Sequence, residues 1–204
     1  MSSVWAVVPI KCFADAKSRL RGEISDRGRA ALARRLSAHV LSTVLESGCF
    51  SGVLVLTNDA EIEKWGLQLG TRVARDDEKK TLSQTIESGL VRVKEWGGDS
   101  AVVIMGDLPL LSVAVLRDFL ETLGRTDCVI GPDRRKVGTN ILGLHRLDVV
   151  PVHFGEPESF RGHLGRMIRE DLRFEIFDSV ETGFDVDLPN DYASFIGDNV
   201  VTNC

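Results

Sequence analysis

The stretch Ala101-Val-Val-Ile-Met-Gly-Asp-Leu-Pro-Leu-Leu111 runs through five apolar residues without alternation, then breaks at Gly106 and Asp107. A continuous apolar run that ends in turn residues suits a strand buried on both faces, as in parallel sheets covered by helices. The acid at its end matters because open α/β sheets receive ligands at the carboxyl ends of their strands. A second segment, Phe184-Asp-Val-Asp-Leu-Pro-Asn-Asp-Tyr192, repeats the pattern with Asp185 and Asp187. Side chains two apart on a strand share a face, so these two carboxylates can meet one ion. Three carboxylates in one crevice call for a cation, and a hard divalent ion such as Mg²⁺, carrying a nucleotide phosphate, suits oxygen ligands. Taken singly, each motif also reads as turn chemistry: Asp107 as a cap for the next helix, Asp185 and Asp187 as an Asx turn before Pro189. Together they favour a metal site.

Outward from this centre the chain alternates between the two periodicities. Val4–Pro9 and Gly52–Thr57 read as buried strands, with shorter extended pieces at Arg72–Ala74, Cys128–Gly131, Asn140–Leu144, Arg173–Phe177 and Phe184–Val186. Helices are expected from Ser25 or Asp26 to Ser47, over Ala60–Leu69, Ser83–Trp96, Val113–Leu123 and His163–Asp171, and over Pro189–Ile196 before a frayed end. The first carries its inner stripe at Leu32, Leu36, Val40, Thr43 and Val44 and stops at Gly48. Arg75–Lys80 and Pro132–Thr139 read as charged surface loops, and Val152–Arg161 as irregular. Strands separated by helices imply a mostly parallel sheet covered on both faces, with a local antiparallel element near Cys128–Leu144 where no helix-length connection exists. The expected fold class is α/β, a mostly parallel mixed sheet with helices on both faces, as one domain over residues 1–204.

Composition fits that reading. The 204 residues are 43% hydrophobic and carry a formal charge of −5. The pI near 5.4 and the scattered Lys and Arg give no footprint for nucleic acid. No apolar stretch reaches membrane-spanning length, and the N-terminus lacks the basic region of a signal peptide. Cys12, Cys49, Cys128 and Cys204 are widely spaced without a C-x-x-C pair, so reduced thiols in a cytoplasm are expected, and Cys12 reads as a small semi-buried residue. A homodimer is compatible with this composition.

Three further segments carry candidate chemistry. The loop VPIKCFADAKSRL (residues 8–20) places Lys11, Lys17, Ser18 and Arg19 just after the first strand, where cationic groups can neutralise a triphosphate and a departing pyrophosphate. It lacks the Walker A pattern. Lys136-Val-Gly-Thr-Asn140 offers a glycine for close backbone approach and the Thr139 hydroxyl and N–H for an anion; it reads equally as a hairpin turn. Phe154 to Ser159 supplies small donors that can clamp an acidic substrate, with His163 nearby as a structural or capping histidine rather than a general base. Ser83 and Gln84 can meet a purine edge, or Ser83 can simply cap its helix. No Ser–His–Asp, Cys–His or H-E-x-x-H constellation is present, which leaves positioning and metal electrostatics as the mechanism.

In order along the chain, VPIKCFADAKSRL, GDLPLL, VGTNILGL, FGEPESFRGH and FDVDLPNDY resemble the CofC/FbiD family, the guanylyltransferases of coenzyme F420 biosynthesis. The resemblance covers nearly the whole chain. It implies a nucleotidyltransferase-like fold related to the molybdopterin-guanylyltransferase type. It also implies GTP as co-substrate with Mg²⁺, and a phosphorylated acid as acceptor: 2-phospho-L-lactate, phosphoenolpyruvate or 3-phospho-D-glycerate. By motif it assigns Asp107, Asp185 and Asp187 to the metal, and Thr139, Gly155 and Ser159 to the acid. Lys11, Lys17 and Arg19 go to the nucleotide phosphates. Four positions differ from the family pattern. Val137 stands for a glycine, Gly106 for an alanine, Gly155 and Ser159 are one residue further apart, and Thr81-Leu-Ser83 replaces Gly-Leu-Asn. Two rivals remain at this point: a related nucleotidyltransferase that uses another nucleotide or acceptor, and a non-catalytic nucleotide-binding relative.

Overall fold

The computed structural model describes residues 3–75, 80–147 and 152–201. Among these residues seven strands form one sheet: β1 (Val4–Pro9), β2 (Gly52–Thr57), β3 (Arg72–Arg75), β4 (Ser100–Ile104), β5 (Cys128–Pro132), β6 (Thr139–Leu144) and β7 (Phe174–Ile176). Their order is β3-β2-β1-β4-β6-β5-β7. β1 pairs in parallel with β2 and β4, β2 with β3, and β5 with β7, while β6 runs antiparallel to both β4 and β5. The expected mixed sheet and its local antiparallel element are both present. The reversal of β6 has a consequence for function: the start of β6, rather than its end, reaches the rim where β1 and β4 finish.

Seven α-helices lie among the described residues: α1 (Asp26–Ser47), α2 (Ala60–Gln68), α3 (Leu82–Glu95), α4 (Val113–Leu123), α5 (Ser159–Arg169), α6 (Val180–Gly183) and α7 (Pro189–Val201). Period-2 alternation sends Trp5, Val7, Leu54 and Val103 to one face, where Ile86, Leu90 and Val93 of α3 and Phe160 and Met167 of α5 pack on them. Ala6, Val8, Val55 and Val102 face the opposite way, against Val40 and Val44 of α1, Ile62 of α2 and Phe119 of α4. Each large side chain buried this way contributes about 1.5–3 kcal/mol. A smaller cluster of Leu20, Leu32, Leu36, Phe184 and Val186 ties the loop after β1 to the segment before α7. No helix among the described residues is long and apolar enough to cross a membrane.

Several boundaries differ from the sequence expectation. Helix α5 begins at Ser159, four residues before the expected His163, behind a Glu158 cap in the left-handed region that no side chain supports. Phe184–Val186 is extended but joins no sheet; the short helix α6 precedes it. The cap of α3 is Thr81 rather than Ser83, and Gln84 completes a capping box with it. Helix α7 continues to Val201 instead of ending at Ile196. Most of the expected loop Arg75–Lys80, and Cys204, lie outside the described residues; Cys12, Cys49 and Cys128 are free thiols.

Candidate active site

The loop after β1 is shaped from beneath by α1. Arg29 is buried; its Nη1 donates to the Ala16 carbonyl at 2.7 Å and its Nη2 to Asp26 at 2.6 Å. Leu20, fully buried, fixes the far side of the loop. Between these anchors Lys17 takes φ 54° and ψ 37°, left-handed angles that cost a non-glycine residue about 1–2 kcal/mol. Its Nζ lies 2.5 Å from Asp107 Oδ2 and 3.0 Å from Asp187 Oδ1, and Arg19 reaches Asp187 Oδ2 at 3.3 Å. Lys11 stands exposed on the same loop.

The three acids arrive by different routes. Asp107 follows β4, where the Ser37 hydroxyl donates to the Gly106 carbonyl at 3.1 Å. Asp185 and Asp187 lie in the unpaired segment between α6 and α7, and side chains hold that segment in place of a β-ladder. Asn140 Nδ2 donates to the Thr182 carbonyl at 3.0 Å and lies 3.5 Å from Asp185 Oδ1. Asp191 is fully buried and accepts the N–H groups of Asp187 at 3.1 Å and Leu188 at 2.7 Å, together with Arg134 and Arg135. Two charges of the β5–β6 loop are thus spent on fixing the acidic segment. Neither Asn140 nor Asp191 was singled out from sequence. Only the D-L-P-N-D spacing, with a second acid four residues after Asp187, carried a signal.

One ligand atom from each of Asp107, Asp185 and Asp187 lies within 4.8 Å of the others, close enough to share a metal ion, and no other such group exists among the described residues. Burial, reinforced by the Asp107 and Asp187 charges, pushes the Asp185 carboxyl up to about 6. Burial pushes Asp187 the same way, but the Lys17 ammonium with Arg19 and Arg135 outweighs it and holds that carboxyl below its usual range. For Lys17 the cost of burial is overcome by Asp107 and Asp187, so its pKa rises and it stays charged. The ammonium therefore occupies the centre of negative potential, where a cation is needed.

Across from the acids, Thr139 opens β6 and is buried, with Oγ1 3.0 Å from His163 Nδ1. Gly155 sits at φ 77°, which suits its lack of a side chain, since a Cβ there would meet Leu82 Cβ at 3.2 Å. Ser159 is the first residue of α5. All the residues singled out from sequence, except Ser83 and Gln84, line one cleft of about 710 Å³ between these two sides. Ser83 is buried and donates to the Phe154 carbonyl at 2.9 Å, and the Gln84 amide oxygen accepts from Thr81 N–H at 2.9 Å. Their polar atoms secure α3 and the turn at Phe154 instead of facing the cleft. Between Gly155 and Ser159 the chain turns through Glu158 at φ 55°.

Residues 4–199 match the family described as "Guanylyl transferase CofC like". The chain belongs to that family. Among curated relatives, this CofC-like protein is 34% identical to a phosphoenolpyruvate guanylyltransferase of Rubrobacter xylanophilus, over 94% of this chain and 92% of that one. It is 26% identical to a 2-phospho-L-lactate guanylyltransferase of Methanothermobacter thermautotrophicus, over 94% and 83% of the respective chains. Among solved structures, a putative nucleotide-diphospho-sugar transferase of Desulfovibrio desulfuricans superposes with a TM-score of 0.72 at 19% identity, covering 89% of this chain and 83% of that one. A Mycobacterium tuberculosis protein solved as a manganese complex superposes with a TM-score of 0.60 at 16% identity, covering 96% and 99%. The fold class and family expected from sequence are borne out. The CofC-like chain is an enzyme of the nucleotidyltransferase class, and its guanylyltransferase relatives support guanylyl transfer over the rival readings.

Proposed function

We propose that this enzyme transfers GMP from GTP to the phosphate of a small phosphorylated acid, releasing pyrophosphate, in coenzyme F420 biosynthesis. The acceptor is one of 2-phospho-L-lactate, phosphoenolpyruvate and 3-phospho-D-glycerate. The observation that carries this is the convergence of Asp107, Asp185 and Asp187 on a charged Lys17, opposite Thr139 and the start of α5. The three acids fit a divalent ion: their oxygens are mutually close, and a lysine ammonium already takes the cationic place. They would hold Mg²⁺, which when bound supplies neutralising charge to nucleotide phosphate oxygens.

The remaining work falls to the chain's own groups. The acid's phosphate oxygen forms a new bond to the α-phosphorus, and the bond from that phosphorus to the bridging oxygen breaks, so pyrophosphate leaves with the electron pair. Lys11, Lys17 and Arg19 offset the charge that grows on the leaving group. Ser18 lies in the same loop and adds a hydroxyl toward the phosphates. Thr139, the Gly155 backbone and Ser159 at the first turn of α5 hold the acid; a helix N-terminus favours an anion. Holding both substrates in line converts a bimolecular step into a local one, which supplies much of the acceleration. Ser83 and Gln84 are our candidates for the guanine side, freed for it when the bonds to the Phe154 carbonyl and the Thr81 N–H open. We assign the whole chain to one domain and the reaction to the cytoplasm, with small molecules as partners and a homodimer as the assembly to test.

The test crosses GTP, ATP, CTP and UTP with the three acids, following pyrophosphate release and product mass. A guanylylated acid from GTP with one of them is the expected outcome. A product formed only from another nucleotide, or with no acid of this class, would replace this assignment.

A further inference from the structure

We infer that His163 is a positioning residue for the acceptor acid, one that turns the Thr139 hydroxyl into a donor facing the cleft. The inference rests on the reading of Thr139 as an acid contact and adds a residue to it. Its warrant is a chain of hydrogen bonds with only one consistent direction. The backbone N–H of His153 lies 2.8 Å from His163 Nε2. An amide N–H only donates, so Nε2 accepts and carries no proton. The ring is fully buried, and burial, helped by His153, brings its pKa down to about 3, so it is neutral and its single proton is on Nδ1.

Nδ1 lies 3.0 Å from Thr139 Oγ1. With the proton on Nδ1, the threonine oxygen is the acceptor there, and its own hydrogen has to go elsewhere. Among the described residues no acceptor takes it, and Thr139 lines the cleft. A phosphorylated carboxylic acid presents many acceptor oxygens, so the pocket needs donors. Left alone, a threonine hydroxyl can offer either a lone pair or a hydrogen; the imidazole removes that freedom. The ring cannot turn to do otherwise, since it packs edge-on against Phe154 at 4.9 Å and His153 at 5.5 Å. With both ring nitrogens committed, His163 is not a general base.

The test joins a spectroscopic readout with kinetics. Long-range ¹⁵N–¹H correlation on the whole protein should show His163 neutral with its proton on Nδ1; a proton on Nε2 overturns the inference without any variant. In steady-state kinetics, His163→Phe should raise KM for the acid about 10- to 100-fold, the worth of one hydrogen bond to a charged group, while KM for GTP stays within about threefold. Adding His163→Phe to Thr139→Val should change little, because both remove the same donor. His163→Asn, whose amide nitrogen occupies the Nδ1 position, should recover much of the acid KM. Additive losses, an equal rise in both KM values, or no recovery with Asn would reduce His163 to a packing residue. An unmodified enzyme that is silent with GTP and all three acids would overturn the acceptor reading and this inference together. An active enzyme with additive variants would overturn this inference alone.

Discussion

Lys17 combines left-handed backbone angles with a nearly buried ammonium, its side chain 7% exposed, set between Asp107 and Asp187. Strain of this kind persists where surrounding contacts over-determine a residue, and it gathers at functional sites. Here Arg29 and Leu20 supply those contacts, and the gain is a fixed cation at the mouth of the acidic cluster. Asp107 is partly exposed, and its oxygens are held by Lys17 rather than by a backbone turn. Asp107→Asn keeps the shape and removes one negative charge. It should lower kcat/KM by roughly 10³-fold, several kcal/mol of transition-state stabilisation, with little change in melting temperature. Pyrophosphate release measured beside a thermal melt checks both halves. Near-normal turnover in a folded Asn protein would remove Asp107 from the metal set.

The turn from Phe154 into α5 and the cap of α3 make a matched pair of elements for separating function from support. Gly155→Ala would force a side chain into φ 77° and bring its Cβ to 3.2 Å from Leu82 Cβ, at a cost of about 1–2 kcal/mol. Because that turn lines the cleft and is proposed to hold the acid, KM for the acid should rise more than KM for GTP. Thr81→Ala removes the capping box of α3 and should cost about 1 kcal/mol of stability with substrate KM values near normal. Equal effects of both changes on both substrates would mean that the turn is scaffolding. How legible these elements were follows from their physics. The long helix α1 announced itself through Ser25, the stripe Leu32, Leu36, Val40 and Val44, and Gly48, and β1, β2 and β4 through unbroken apolar runs, because local signals and burial agree there. Helix α5 starts behind Glu158 with no side-chain cap, so nothing local marked its first turn. The acidic segment after α6 looked like a strand because its apolar and acidic residues alternate. In the fold its neighbours are the Asn140 amide and Asp191 rather than a β-ladder, and such long-range partners leave no trace in a local pattern.

Across the whole molecule, stability is coupled to two buried ionisable groups, His163 and Asp185, and their signs oppose. His163, brought down to about 3 from an ordinary 6.5, binds its proton more readily when unfolded. Its contribution is fully present above pH 6.5 and is lost as pH falls toward 3, at up to about 1.4 kcal/mol per pH unit. Asp185, raised to about 6 by burial without metal, works the other way: its contribution is present below its ordinary 3.8 and is lost as pH rises through 6. His153 packs edge-on against the histidine and pairs with Glu156 through its Nδ1. Denaturant unfolding of the parent and of His163→Phe between pH 7.5 and 4.5 separates these, since Asp185 cancels in the difference. The parent should lose stability relative to the variant as pH falls through 6.5; parallel curves would show that the ring titrates freely in the fold.

The Lys17 ammonium balances three carboxylates that would otherwise repel one another. Lys17→Met keeps the length of the side chain and removes the charge, so the metal-free variant should melt lower than the parent. A divalent ion then meets no resident cation and should bind more tightly without nucleotide, raising the variant's melting temperature by more than it raises the parent's, as linkage requires. Thermal melts over a Mg²⁺ titration, repeated with Mn²⁺ and with chelator alone, measure that difference. If added metal shifted both proteins equally, Lys17 and the ion would not be sharing these carboxylates, and the cation place in the cleft would belong to the lysine alone.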